Sequence, residues 1–110
     1  MRIAAGVRGD VWTDIINFGA ADDAGQADIT NYKYFRVTNL DDTNYLELRV
    51  TGSADSFFVK VKAGESFLLM DNEIDAVASG TTIGTLTDIT QIGANANTAA
   101  IDIEFVVVTA

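Results

Sequence analysis

The two-residue hydrophobic period of this chain constrains its fold more than any other feature. Apolar and polar side chains alternate through much of the sequence, and a period of two is the signature of a half-buried β-strand. The C-terminal stretch is the clearest case. Ile101, Ile103, Phe105 and Val107 fall on one face, with Asp102 and Glu104 opposite, joined further along by Val106 and Val108. An outer face that begins polar and ends apolar implies cover by another element or another subunit. Residues 45–51 place Leu46, Leu48 and Val50 on one side and Tyr45, Glu47, Arg49 and Thr51 on the other. Residues 57–62 direct Phe57, Val59 and Val61 inward and Phe58, Lys60 and Lys62 outward. In residues 32–38, Phe35 and Val37 point in, while Tyr32, Tyr34 and Arg36 share the other face. Further strands are expected at 2–8, 11–18, 66–70, 74–79 and 83–92.

Turn chemistry separates these runs. Asn39 to Asn44 and Gly52 to Asp55 each divide two strands. Ala63-Gly64-Glu65-Ser66 predicts a tight hairpin connection with Gly64 at positive φ. Gly93 to Thr98 reads as a small-residue loop, and Phe18 to Asp28 as the mobile loop. Asp71 to Ala78 offers one capped helical turn, but a turn followed by a strand is preferred. No stretch carries a helical period over ten residues. The expectation is one all-β domain over residues 1–110, with about eight short strands in an antiparallel β-sandwich or jelly-roll-like barrel.

Composition decides which functions such a domain can have. With 48% hydrophobic residues in 110, the chain can build a core without metal or disulfide. The net charge of −9, with seven scattered basic residues, disfavours nucleic acid and anionic membranes. The opening residues are too short and interrupted an apolar run for a signal peptide, so folding in the cytoplasm of the producing cell is expected. The chain has no His and no Cys, so Ser–His–Asp and Cys–His relays are ruled out. Gly80-Thr-Thr-Ile-Gly84 lacks the lysine of a phosphate loop. No catalytic residue and no cofactor is expected. Calcium at the acidic loops is the one alternative: Asp22 and Asp23; Asp41, Asp42 and Asn44; Asp71, Asn72, Glu73 and Asp75. Asp and Asn are equally what β-turns use, and that reading is preferred.

The outward aromatics are more informative. Trp12, Tyr32, Tyr34, Tyr45 and Phe58, with Val106 and Val108, are the candidate interface residues. They read as a second packed layer, a subunit interface or a sugar-stacking platform, in that order. The chain also has no Pro, so its strand edges need some other protection.

Residues 36–70 carry a more specific pattern. A strand ends in Asn39-Leu-Asp, the next opens with Asn44-Tyr, and a third leads through Phe57-Phe-Val-Lys-Val-Lys into Ala63-Gly-Glu-Ser. With the closing Ile103-Glu-Phe-Val-Val, this resembles small structural proteins of tailed bacteriophages: head decoration (cement) proteins, head-fibre components and tail modules. The resemblance implies a virion protein on the capsid surface, without cofactor. It would bind itself as a homo-oligomer, a trimer among the forms expected, and the major capsid protein. It implies no particular site residue. Segment 80–98 departs from the pattern and reads as an insertion that makes a partner contact. The terminal segments 2–18 and 101–108 are candidates for contacts with other subunits or the shell. A carbohydrate- or receptor-binding module of a fibre or tail is the alternative, marked by a row of Tyr32, Tyr34 and Tyr45, or by Trp12.

Overall fold

The structure, a computed structural model, describes residues 1–5, 12–20, 25–53, 55–77 and 82–110. Eleven strands follow one another: β1 (Arg2–Ile3), β2 (Thr13–Gly19), β3 (Ala27–Asp28), β4 (Tyr32–Asn39), β5 (Leu46–Thr51), β6 (Ser56–Val61), β7 (Ser66–Leu69), β8 (Glu73–Ile74), β9 (Thr87–Asp88), β10 (Gln91–Ala96) and β11 (Ile101–Thr109). No helix occurs among the described residues. One sheet has the order β1-β11-β4-β7, a second β3-β2-β10-β5-β6, and β8 and β9 form a separate ribbon. The strand count exceeds the expected eight because very short strands flank the long ones. Neither sheet closes into a barrel. Pairing is antiparallel except for β2 and β3, which run parallel.

Both larger sheets turn apolar side chains into one cluster. Phe35, Val37, Ile101 and Ile103 come from the first, and Leu46, Leu48, Val50, Ile92 and Ala94 from the second. The alternation in β5, β6 and β11 therefore points as the sequence implies. Ile74, in the ribbon, and Ile89, just after it, join the same cluster. The ribbon lies over Gly52: a Cβ there would meet Thr87 Oγ1 at 2.9 Å and Ile74 Cγ1 at 3.0 Å. Close approach, rather than turn conformation, requires this glycine.

Where it is described, segment 80–98 is in part integral to the second sheet. Residues 91–96 form β10, the middle strand of the five-stranded sheet, flanked by β2 and β5. The expected loop at 93–98 is thus mostly strand. Its Gly and Ala residues reflect limited space on both faces, and residues 92–96 are buried throughout. Of the strand expected at 74–79, Ile74 belongs to β8, residues 75–77 are not strand, and residues 78–79 lie outside the described residues; the strand expected at 83–92 is reduced to β9 and the start of β10. Of the N-terminal strand expected at 2–8, the described part is β1 and an isolated bridge from Ala5 to Ala96. Phe18 and Gly19 close β2, and Ala27 and Asp28 form β3, so both ends of the expected mobile loop are paired. Asp22 and Asp23 lie outside the described residues.

Gly64 does take positive φ, at 78°. The segment around it is nevertheless no hairpin, because β6 and β7 belong to different sheets. It is a corner, held by β4: Gly64 N donates to Asn39 O, and Asn39 N donates to Glu65 O, both at 3.0 Å. The Asn39 side chain is fully buried. Its Nδ2 donates to Asn44 O at 2.9 Å and to Val61 O at 3.1 Å, while Oδ1 accepts from Asp41 N at 2.9 Å. One amide thus ties the end of β4 to the β4–β5 turn and to β6. Asn39→Ala would leave these buried groups unpaired, and we expect it to cost about 2–3 kcal/mol of stability. Urea unfolding checks this; a loss under about 0.5 kcal/mol, the scale of an ordinary surface change, would deny Asn39 that role.

Candidate functional site

The seven candidate interface residues separate into three places. Tyr34, Val106 and Val108 lie on the outer face of the four-stranded sheet. Val108 stands opposite Tyr34, and Val106 opposite Arg36. Leu68 is opposite Arg36 on the other side, and Met70 follows one residue beyond β7. Leu68 and Met70 are exposed. This face is apolar at the Tyr34 end and charged at the other, where Arg36 meets Glu104 at 3.5 Å and Arg2 meets Asp102 at 3.1 Å. Both ion pairs are solvent-exposed, so they contribute orientation more than stability.

Trp12, Tyr45 and Phe58 lie on the outer face of the five-stranded sheet. The Trp12 and Phe58 rings are tilted, with centroids 5.8 Å apart. The Arg49 guanidinium lies 4.7 Å from the Trp12 ring centre, and Lys60 Nζ lies 4.2 Å from that of Tyr45. These are cation–π distances. Register explains the gathering: Gly93 faces Arg49, and Arg49 faces Phe58, in one cross-strand row. Arg49 Nη2 and a Trp12 ring carbon lie 3.8 and 3.9 Å from where a Gly93 Cβ would stand, so both groups pack over this strand at ordinary contact distance. Trp12 Nε1 and Arg49 Nε are buried without a hydrogen-bond partner among the described residues.

Tyr32 is in neither face. It is buried, 6% exposed, and packs edge-on against Phe18 with centroids 5.4 Å apart. The expected outward direction fails because of a β-bulge. Val108 pairs with Tyr34 but Thr109 pairs with Tyr32, which leaves Lys33 as the extra residue. One extra residue reverses the side-chain alternation. The tyrosine row that would mark a sugar platform therefore does not form: Tyr32 is core, and Tyr34 and Tyr45 sit on different sheets. Sequence reasoning missed Leu68, Met70 and Arg49. Phe67-Leu-Leu-Met70 is apolar throughout and assigns no face. Arg49 was assigned outward without its ring partner.

The edges, which lack proline, are managed in other ways. β1 and β3 have two residues each and β7 has four. The longer edge strand β6 carries Lys60 and is followed by Lys62. Short edges and lysines both oppose edge-to-edge pairing. Lys60 and Lys62, with Val59, Glu65 and Phe67, line a shallow groove of about 360 Å³ between β6 and β7.

The acidic loops are engaged locally. Asp41 Oδ2 accepts from Asn44 N at 2.6 Å and from Thr43 N at 3.0 Å. These donors hold the Asp41 carboxyl below its ordinary range. Among the described residues, no three acidic side chains converge on a metal position. No family model, no curated protein and no solved structure matches this chain.

Burial pushes the Tyr32 phenol up from 10.0 to about 12. Its hydroxyl donates to Leu69 O. The folded state keeps this proton longer than the unfolded state does. The associated stability is therefore complete below pH 10 and is lost as pH rises through about 12. Tyr32→Phe should flatten the stability–pH curve in that interval. Unfolding measured from pH 9 to 12 checks this; an unchanged slope in the variant would contradict the placement of Tyr32.

Proposed function

We propose that the chain is a virion structural protein: a capsid decoration (cement) protein of a tailed bacteriophage that assembles with itself and binds the outer capsid surface. The observation that carries this reading is the outer face of the four-stranded sheet. Tyr34, Leu68, Met70, Val106 and Val108 form an apolar area beside charges of both signs. Outward apolar side chains gathered on one sheet face, here with Arg36 between Val106 and Leu68, mark a candidate interaction site. A two- or three-fold contact between copies would cover it. We read the two larger sheets as a β-sandwich with jelly-roll-like character, an architecture that leaves each outer face available to a neighbour. The resemblance over residues 36–70 supplies the capsid setting, and the major capsid protein is the partner it implies. Weak contacts repeated on a shell lattice then act together. The reading is non-enzymatic and needs no cofactor, nucleic acid or membrane; the chain lacks His and Cys and carries a charge of −9. The protein would be made in the host cytoplasm and reside on the virion.

One observation favours a second reading, a carbohydrate- or receptor-binding module. Trp12 and Phe58 adjoin on the other outer face, with ring centroids 5.8 Å apart, the kind of aromatic surface on which a sugar ring stacks. Loss of glycan-array binding in Trp12→Ala would support it.

Light scattering tests the first reading. We expect a mass that is a multiple of 11.7 kDa. Val106→Asp with Leu68→Asp should yield monomers that bind expanded, undecorated capsids less tightly than the unchanged protein. A strict monomer with no affinity for such capsids would overturn it.

A further inference from the structure

A second interaction surface lies apart from both sheet faces, between the ribbon and strands β6 and β7. A pocket of about 280 Å³ is bounded by Phe57, Leu69, Ile74, Ile83 and Leu86. Ile83 and Leu86 are exposed, although both are large and apolar. The rim consists of Asp71, Glu73 and Asp75, and Asp55 reaches Asp75 from the β5–β6 turn. No lysine or arginine lines this pocket among the described residues. Negative charge is crowded here: the hydrogen-bonded Asp75 carboxyl raises the pKa of Asp55. The floor is rigid, because Ile74 is buried in the core and the ribbon sits directly on Gly52.

Size and charge together select the occupant. At about 280 Å³ the pocket has room for an anchoring side chain. The anionic rim around an apolar floor is complementary to a segment with cations around an apolar residue. We infer that this pocket docks a segment of another protein in which one or two large apolar side chains are flanked by Lys or Arg. The inference stands whether or not the protein belongs to a virion, because it uses none of the residues of the proposed self-association face.

The test uses the full chain and three synthetic peptides: Lys-Lys-Leu-Phe-Lys-Lys, its analogue with Ser-Ser at the centre, and its analogue with Glu in place of Lys. Amide shifts in ¹⁵N spectra locate binding and titration measures its strength. The Leu-Phe peptide should perturb residues 71–76 and 83–86 and bind about tenfold or more tightly than the Ser-Ser peptide, since one buried large apolar side chain is worth that factor. Ile83→Ser with Leu86→Ser should abolish this preference without changing net charge. Both residues are exposed, so folding should survive, and an unchanged spectrum elsewhere verifies it. Asp71→Asn with Glu73→Gln should weaken the Lys peptide towards the Glu peptide. Equal binding of the Leu-Phe and Ser-Ser peptides, or perturbations confined to other faces, would overturn the inference.

Discussion

The buried amide of Asn39 joins two passages of the chain between the larger sheets, and the β4–β5 turn and the β6–β7 corner are both fixed to it. Its Nδ2 bridges Asn44 O and Val61 O, one in the β4–β5 turn and one at the end of β6. Its backbone holds Gly64 and Glu65 at the β6–β7 corner. Those bonds brace the corners at which β4 and β7 join one sheet while β5 and β6 pair in the other. Hydrophobic burial supplies the driving force but is non-directional. The hydrogen bonds of Asn39 fix where the corners fall, and an unpaired group there would be costly. The residues that face outward on each sheet are arranged by the same corners.

How much was legible in the sequence depended on local regularity. β5, β6 and the start of β11 have an unbroken period of two and one polar face, so their inward and outward residues could be read directly. Tyr32 could not, because a single extra residue at Lys33 reverses the alternation, and no residue type announces a bulge. β10 was hidden for a different reason. Gly93, Ala94, Asn95 and Ala96 have loop-like composition, yet they form a central strand because Trp12 and Arg49 cover one side and the core confines the other. Tertiary context overrides propensity in such a strand.

The candidate surfaces show the same division. That Tyr34, Val106 and Val108 point outward was legible; that Leu68 and Met70 complete their face was not. Membership of a common face is a property of strand order, which a local period does not encode. Trp12, Tyr45 and Phe58 converge for the same topological reason, and the cations of Arg49 and Lys60 find their ring faces through cross-strand register. The acid-rimmed pocket depends on the ribbon folding back over Gly52, a long-range contact with no sequence signature beyond the glycine itself.

Assembly through the outer face of the four-stranded sheet is the central claim. It is tested by a cryo-electron microscopy map of the purified protein added to expanded, undecorated capsids. If the proposed assembly is right, Tyr34, Val106, Val108 and Leu68 of each copy are covered by a neighbouring copy. A map in which this face is turned to solvent in every copy would contradict it.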